Sequence, residues 1–578
     1  MIAKMDVRAL PLVAEKPRSV TVPGIGAPAP SSASTSSTAP LAVGSSSSSV
    51  AVLTQFEGSN QQNSCGCWPP DPQVAAGPNY VVEMVNDLVS IYNKSDGTLF
   101  RTIPLYSFFS PGAAFSDPKV LYDSSSGRWY SSAIDANHGV DFAVSASNDP
   151  LVWSVYFLPD RTASLADQPI IGVSDDKLVI SVNDYASVFI GAHYWVLNKS
   201  EMVFGWPAID YASFGPFGSV ASIHPVQSMT PTTTEYMVST FAEDIPHSTT
   251  AELLFAVSGI PPGPVTVANT TLVVSQITHP VGGVQRGSSQ LVNTDDERVQ
   301  DAVWYKGKVW SSSNDACTPS GDTQARSCFR LTQIDTGSST VVQDFDVGAV
   351  GQSYYYPAFS VDGPGNLDVV FGYSSASDYP SIAVTGQAVQ DPLGSLTPVV
   401  VVKHGLAPDQ TSPIRYGDYF GTGIDPSNLG TVWVVGQYVS TTGGLWSTYI
   451  ASMKMVSFSV SASPSYTNVA AGSSASAAIT LRSIGGFSGN AMLTASTSPG
   501  GLTVSVSPSS VTIPPGGSVG STFTVQTSTS TPSGIYNATV TATSGFLSFT
   551  TFLLLRVGTR LRHVIIPVEP GAPSWHHW

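Results

Sequence analysis

The sequence predicts an all-β protein: a β-propeller followed by an immunoglobulin-like β-sandwich. Three observations lead there. Short strand-turn-strand units recur at a spacing of about 50 residues over about 400 residues. No stretch shows an apolar period of helical type. Charged residues make up only 11% of the 578, against roughly 25% in an average soluble protein, and Ser, Thr, Gly and Pro take their place. Strands with polar, uncharged outer faces and many turns give that balance, whereas helical proteins rich in Glu and Lys do not.

The unit that sets the pattern spans 68–101. It opens on a turn at Pro69-Pro70-Asp71-Pro72, continues as strands over 80–86 and 88–94 around a tight corner, and turns again at Ser95-Asp96-Gly97. Ahead of it, 50–56 reads as a strand ended by Glu57-Gly58, placed to clasp the last blade to the first. Behind it come a strand-turn-strand at 117–130, a pair at 141–147 and 153–158 around Asn148-Asp149-Pro150, and a pair at 177–183 and 193–198. Ile91-Tyr92-Asn93-Lys94-Ser95 and Val196-Leu197-Asn198-Lys199-Ser200 close equivalent strands two periods apart. Later units are 235–241 with 251–257, 302–311 with 328–335, then 356–362, 367–373 and 381–385, and finally 415–438 completed by 448–454. Even spacing of short strands selects a propeller of seven blades, with six or eight as alternatives. A sandwich or a parallel β-helix is the other architecture such strands allow.

The expected domains follow from shifts in composition. Residues 1–49, rich in Ser, Ala and Pro, have too little apolar surface to offset the cost of ordering and read as a disordered lead-in. The propeller occupies 50–455. Residues 456–557 lack Trp, Asp and Glu and alternate over about seven strands, the pattern of an immunoglobulin-like sandwich without a Cys…Trp…Cys signature. Residues 558–578 form a C-terminal tail.

The net charge of −16 arises from 24 Lys and Arg against 40 Asp and Glu, which repels phosphate backbones and argues against nucleic-acid binding. No apolar run reaches the length of a membrane span. Cys317 and Cys328 flank a predicted loop and are expected to staple a hairpin. Cys65 and Cys67 are separated only by Gly66, and a strained bridge, a link to a partner and paired free thiols all stay open. The sequons at Asn93, Asn198, Asn269 and Asn537 fall at predicted turns or strand ends. They point to a secreted or cell-surface glycoprotein, although no signal peptide is visible in the first twenty residues.

Several stretches together carry a resemblance: 69–86, 117–129, 296–310 and 415–426. They resemble a group of secreted microbial propeller proteins, sialidase-like in fold and without assigned activity. The Ser/Thr-rich module at 456–557 is similar to Ig-like repeats of microbial surface proteins. The resemblance implies export and a propeller, and it carries no catalytic residues across.

Sialidase-type glycosidases clamp an acidic sugar with arginines. Arg128, Arg298 and Arg415 lie in the resemblance stretches near Trp or Tyr, and with Asp418 they are the catalytic candidates. The competing reading packs each Arg stem on an aromatic ring. Ser360-Val361-Asp362-Gly363 only loosely echoes a sialidase turn. Asp-Pro recurs at Asp71, Asp117, Asp149 and Asp425, first as a turn device, with a carboxylate ring holding Ca²⁺ as the one ion considered. No other metal and no cofactor is expected. Asp295-Asp296-Glu297 and Asp175-Asp176 read as solvated hairpin tips. Gly516-Gly517-Ser518-Val519-Gly520 matches a hydrolase pattern but no helix follows it, so the nucleophile-elbow context is missing. Trp129, Trp153, Trp195 and Trp206 are candidate exposed stacking platforms for a ligand.

The expected function is binding of a glycan or extracellular protein on the propeller face, the Ig-like module serving as spacer or attachment. The alternatives are a sialidase-like glycosidase or polysaccharide lyase, and a structural surface-layer or filament subunit that self-assembles through the Ig-like module and tail.

Overall fold

The computed structural model describes residues 1–10, 48–64, 66–109, 115–136, 139–160, 163–240, 248–410, 415–440, 444–545 and 547–558. The chain divides into two compact units, Met1–Met455 and Val456–Trp578.

In the first unit, the described residues form seven blades, each built on four strands, and the short strand Gln227–Ser228 hydrogen-bonds the inner strands of blades three and five to each other. Blade one runs Gln73–Ala76, Tyr80–Val85, Leu88–Asn93, Leu99–Pro104. Blade two begins at Phe115–Asp123, blade three at Leu165–Val173, blade four at His224–Pro225, blade five at Val299–Tyr305, blade six at Gln352–Val361 and blade seven at Gly421–Ile424. Each first strand lies beside the first strand of the next blade, and that of blade seven lies beside that of blade one. The ring is therefore closed around a central axis, which leaves few sheet edges to protect.

Hydrophobic burial follows the same cycle. Val82, Met84 and Ile91 of blade one share a core with Trp129, Ala143 and Trp153 of blade two. Tyr130 and Phe142 of blade two meet Ile180 and Trp195 of blade three. The series continues to Val434 and Met453 of blade seven, which pack on Val370 and Val384 of blade six. Blade seven turns its other face, with Trp433 and Val435, to Val74 and Val81 of blade one. Each sheet is thus covered on both faces, so its strands read as nearly continuous apolar runs. Close to the axis the blades converge. A Cβ on Gly421 or Gly423 would come within 2.8 or 2.9 Å of the backbone of blade one, so only glycine lets these two inner strands approach.

The closing strand is Ser49–Asn60, the fourth strand of blade seven, paired with Trp446–Ser463. The Thr54 N–H donates to Ser452 Oγ at 3.1 Å, and Thr448 Oγ1 donates to the Ser59 carbonyl at 3.1 Å. This is the clasp expected at 50–56. Residues 1–10 depart from the disordered lead-in: Ala3–Asp6 adds a fifth strand to blade two and Val7 is fully buried. Pairing with the exposed edge Val152–Pro159 supplies the hydrogen bonds that composition alone could not promise. The rest of the expected lead-in, 11–47, lies outside the described residues, as does most of the tail, 559–578.

Polar pins join neighbouring blades. The Asn86 Oδ1 accepts from the Asp117 N–H at 2.7 Å, Asn183 Oδ1 from Ser222 N–H at 2.8 Å, and Asn314 Oδ1 from Tyr356 N–H at 2.8 Å. In parallel, Ser132 donates to Pro169 O, Ser181 to Ile223 O and Ser312 to Pro357 O. Asn314→Ala is expected to destabilise the protein by about 2 kcal/mol, because it strands a buried N–H. Chemical denaturation measures this, and a loss below about 0.5 kcal/mol would show that the Tyr356 N–H needs no such partner.

The Cys317–Cys328 disulfide forms across the hairpin as expected, with the Cα atoms 5.8 Å apart. Cys67 is also disulfide-bonded, while Cys65 lies outside the described residues.

The second unit contains two sheets. One joins the 457–463 part of Trp446–Ser463 to Ser474–Ile484, Ser518–Gln526 and Thr503–Ser507. The other runs Tyr466–Val469, Leu547–Val557, Gly534–Ser544, Gly489–Ser498, Ser510–Ile513. Inward residues of both sheets, among them Phe458, Ile479, Leu493, Phe523, Val540 and Leu553, form a single core. Many of their outward neighbours are Ser and Thr, with Met492, Phe552 and Leu554 as exposed apolar exceptions, the period-2 alternation of strands with one wet face.

Candidate functional site

The candidate site is the end of the propeller axis where the inner strands begin. Several of these strands enter through a non-glycine residue in the left-handed region: Asp71 (φ 47), Asp117 (φ 49), Gln168 (φ 51), Ser222 (φ 46) and Tyr356 (φ 55). Asp295, on the approach to blade five, has φ 56. Side chains with a Cβ disfavour that region by roughly 1–2 kcal/mol each. Proline follows at 72, 118, 169 and 357, and the strand register slips between Ser116 and Lys119, Asp167 and Ile170, and Tyr355 and Ala358. Such bulges re-aim side chains. Asp117 lies in one such slip, and Asp71, Asp117, Asp295 and Asp418, from four different blades, form one electrostatic cluster.

The cluster is tied from blade to blade. Asp71 Oδ1 accepts the Asp418 N–H at 2.9 Å, and Asp71 Oδ2 accepts Asn86 Nδ2 at 2.8 Å. Arg415, with its side chain 40% exposed, pairs with Asp418. Arg298 is buried; its Nε donates to Asp296 Oδ1 at 2.7 Å and its Nη1 to Gln168 Oε1 at 2.8 Å. Tyr356 and Tyr419 are buried beside the carboxylates.

Charge is distributed unevenly here. Burial, then the nearby Asp418 and Asp117, pushes Asp71 well above the usual carboxylate range. Burial and Asp418 likewise raise Asp117. Burial and the adjacent Asp296 raise Asp295 strongly. For Asp296 burial works in the same upward direction, but the Arg298 guanidinium overrides it and holds the group below its ordinary value. Neighbouring carboxyls are thus pushed in opposite directions, with hydroxyl, amide and guanidinium donors around them.

Farther along the axis is a cavity of about 60 Å³ lined by the inner strands. Lys119, His224, Gln300 and Asp301 border it. Burial lowers His224 to about 3, with Lys119 adding to the effect, so its ring is neutral. Burial raises Asp301 to about 6.

Of the sequence candidates, Arg298, Arg415 and Asp418 come together at this mouth. Arg128 does not: it sits at the turn after the inner strand of blade two, its Nη1 bonded to Gly127 O. Three stacking candidates are also corrected. Trp129, Trp153 and Trp195 are 0%, 1% and 2% exposed, because both faces of their blades are covered by neighbours; Trp206 alone of the four is exposed, at 51%. The reading of Asp295-Asp296-Glu297 as a solvated tip fails too, since Asp296 and Glu297 are buried at the axis. Asn198 is an unsuitable glycosylation acceptor in the folded chain: its buried amide nitrogen donates to Pro261 O and its oxygen caps the helix Lys199–Phe204. Asn269 and Asn537 are exposed and Asn93 is half-buried. Of the Asp-Pro pairs, those at Asp71 and Asp117 reach the axis.

A second cluster joins Asp160, just past the last strand of blade two, to Asp184 and His193 of blade three. The ligand atoms of Asp160, Asp184 and His193 fall within 4.8 Å of one another, and Ser213 Oγ is 2.7 Å from His193 Nε2. This superficially matches a nucleophile–base–orienter arrangement. Burial opposes charge on the ring, but hydrogen bonds to Asp160 and Asp184 prevail and raise His193 to about 9. An imidazolium at neutral pH cannot serve as the base for Ser213, and its charge fills the role a metal cation would play between the two carboxylates.

No protein-family model matches this chain, and no curated protein matches it. Among solved structures it is similar to Drosophila Semaphorin 2a, with 7% identity and a TM-score of 0.37, covering 88% of this chain and 98% of that one. It is similar to the extracellular domains 1–2 of Drosophila Semaphorin 1a at 8% identity and a TM-score of 0.31, covering 70% and 88%. It is also similar to a Bombyx mori GH32 beta-fructofuranosidase at 9% identity and a TM-score of 0.23, covering 68% and 86%. At such values these likenesses assign no activity, and the propeller rests on its own sheets.

Proposed function

We propose that this chain is an extracellular or surface-attached binding protein that holds a hydroxyl-rich ligand, a glycan, at the acidic mouth of its propeller. The observation that supports this reading is the convergence of carboxyl, guanidinium and phenol groups from several blades at one end of the axis, held there by left-handed entries into the inner strands. Strained backbone concentrated at one place is a mark of function. Alternating carboxylate acceptors and guanidinium donors suit the vicinal hydroxyls of a sugar. The sialidase-like family and the immunoglobulin-like character of the second unit belong to the same proposal, with that unit as spacer.

The test is a glycan array with the full chain, followed by titration of any hit against Arg415→Ala and Asp418→Asn. Both variants are expected to weaken binding at least tenfold while leaving the thermal midpoint within a few degrees. Binding that survives both changes, or an array without a hit, counts against a site at the mouth.

A second reading is favoured by one specific feature. Burial and Asp296 push Asp295 well above the usual carboxylate range while Arg298 holds its neighbour Asp296 below it, and glycoside hydrolysis works with two carboxyls displaced in opposite directions. Turnover of aryl glycosides that disappears in Asp295→Asn would turn the binding mouth into a catalytic one.

A further inference from the structure

Lys119 is an unusual lysine. It lies on the inner strand of blade two, is 7% exposed, and borders the axial cavity. Its Nζ makes no hydrogen bond to any described residue and instead lies 3.3 Å from the centre of the Tyr419 ring. The buried lysines of the neighbouring blade behave differently: Lys177 and Lys199 are each fixed by a carboxylate and a backbone carbonyl. Across the cavity the Gln300 side chain, 5% exposed, has neither its oxygen nor its nitrogen hydrogen-bonded to any described residue. Lys119 and Gln300, neither side chain hydrogen-bonded to a described residue, therefore border one small polar cavity.

We propose that Lys119 is a reactive amine that condenses with a small aldehyde or ketone held in the axial cavity. The volume of about 60 Å³ suits a carbonyl compound of two or three carbons. The carbonyl oxygen would accept from Gln300 Nε2, and a hydroxyl beside it would donate to Gln300 Oε1. Addition forms a bond from Nζ to the carbonyl carbon as the C=O π bond breaks. The oxygen takes up a proton released by the nitrogen, giving a carbinolamine. The hydroxyl then leaves as water with a second proton relayed by a neighbouring carboxyl, Asp117 or Asp301, while the nitrogen lone pair forms C=N. In sum, a protonated amine and a carbonyl give an iminium and one water, with no oxidant or reductant involved.

Two further features agree with this chemistry. Burial lowers the Lys119 amine to about 8, against the pull of Asp301 and Asp117, so roughly a tenth of it is a free nucleophile at pH 7. Burial raises Asp301, which borders the cavity, to about 6, which lets it give and take a proton near neutrality, and burial with Asp418 raises Asp117 in the same direction. The inference does not depend on a glycan binding at the mouth.

The experiment is reductive trapping on the full chain. Protein is mixed briefly with glycolaldehyde and sodium cyanoborohydride between pH 6 and pH 10, and each lysine is then read by peptide mass spectrometry. Lys119 is expected to be alkylated at least tenfold faster at pH 7 than the exposed Lys4 and Lys306, with a rate that levels off near pH 8. A saturating dependence on glycolaldehyde would mark a bound complex. Gln300→Leu, which keeps the amine, is expected to abolish that saturation. Labelling of Lys119 no faster than Lys4 would overturn the proposal and leave an amine that only balances its carboxylates. So would labelling that keeps rising to pH 10. Because the decisive comparison is among lysines of the unmodified chain, no variant has to fold for it to be read.

Discussion

Arg330→Met is expected to lower the unfolding free energy by about 3–5 kcal/mol. Arg330 lies on the third strand of blade five, Arg326–Asp335, with its side chain 1% exposed. Its Nε and Nη2 donate to Asp315 Oδ2 at 2.9 and 2.6 Å, and its Nη1 donates to Asp344 Oδ1 at 2.7 Å. Asp346 Oδ1 lies 3.3 Å from Nη2. The same Nη2 reaches the Gln276 carbonyl of blade four at 2.6 Å. Asp315 and Asp344 also accept the N–H groups of Thr278 and Ser275 from that blade. One guanidinium thus compensates several buried carboxylates and joins two blades. Its removal leaves those charges in a medium that does not solvate them, a far larger effect than losing a surface ion pair. Arg330→Lys should recover little of the loss, since an ammonium cannot form the planar fork. The loss should shrink at pH 4, where the stranded carboxyls take up protons. Denaturant unfolding at both values checks this, and a change under 1 kcal/mol at pH 7 would contradict the assignment.

The thermal midpoint is expected to fall as pH rises from about 4.5 to about 7.5. Burial raises Glu252 to about 7 and Asp87 to about 7. Burial also raises Asp368 strongly, with Asp362 adding to it; Asp368 is fully buried and neither carboxyl oxygen has a hydrogen-bond partner among the described residues. Below about pH 4 these groups are protonated in both folded and unfolded chains and contribute nothing to the difference. Between the unfolded and the folded pKa the unfolded chain releases the proton while the folded chain keeps it, so every step up in pH favours unfolding. For Glu252, which is 1% exposed, the full effect is on the order of 3 kcal/mol. Asp296 and Asp123, held down by Arg298 and Lys199 against burial, act oppositely. Their contribution is present above about pH 4 and is lost as pH falls through their lowered folded values. Together these give a maximum in mildly acidic solution. Asp368→Asn is expected to raise the midpoint at pH 7 and leave it nearly unchanged at pH 4. A profile that rises from pH 5 to pH 8 would refute this account.

Much of the architecture was legible because propeller strands are short, evenly spaced and bounded by turn residues. The echo between 91–95 and 196–200 places blades one and three, and Val50-Ala51-Val52 announced the clasp. The mouth was only half legible. Arg298, Arg415 and Asp418 stood out by their neighbours, but Asp71 and Asp117 looked like turn formers and Asp295-Asp296 like a solvated tip. Asp117 lies in a register slip, and Asp71 and Asp295 take left-handed backbone ahead of their strands, features that leave little trace in composition. The X-Pro pairs at 71, 117, 168 and 356 were the available signal, since they mark the same point in four inner strands. The tryptophans misled for a different reason. A Trp on a half-covered sheet is free to meet a ligand, but here each sheet is sandwiched between two others, and Trp129, Trp153 and Trp195 fill the wedges between them.

The pairing of Ser49–Asn60 with Trp446–Ser463 has a consequence for biogenesis. As the polypeptide leaves the ribosome, this early segment must wait, its edge unsatisfied, until nearly the whole wheel has been made. Any chain interrupted before the final blade would carry a sticky, unmatched ribbon at its front, open to proteases and to the same ribbon on a sister chain. Completion of synthesis is in that sense the event that locks the molecule, and fragments should be cleared or aggregate instead of lingering as partial wheels.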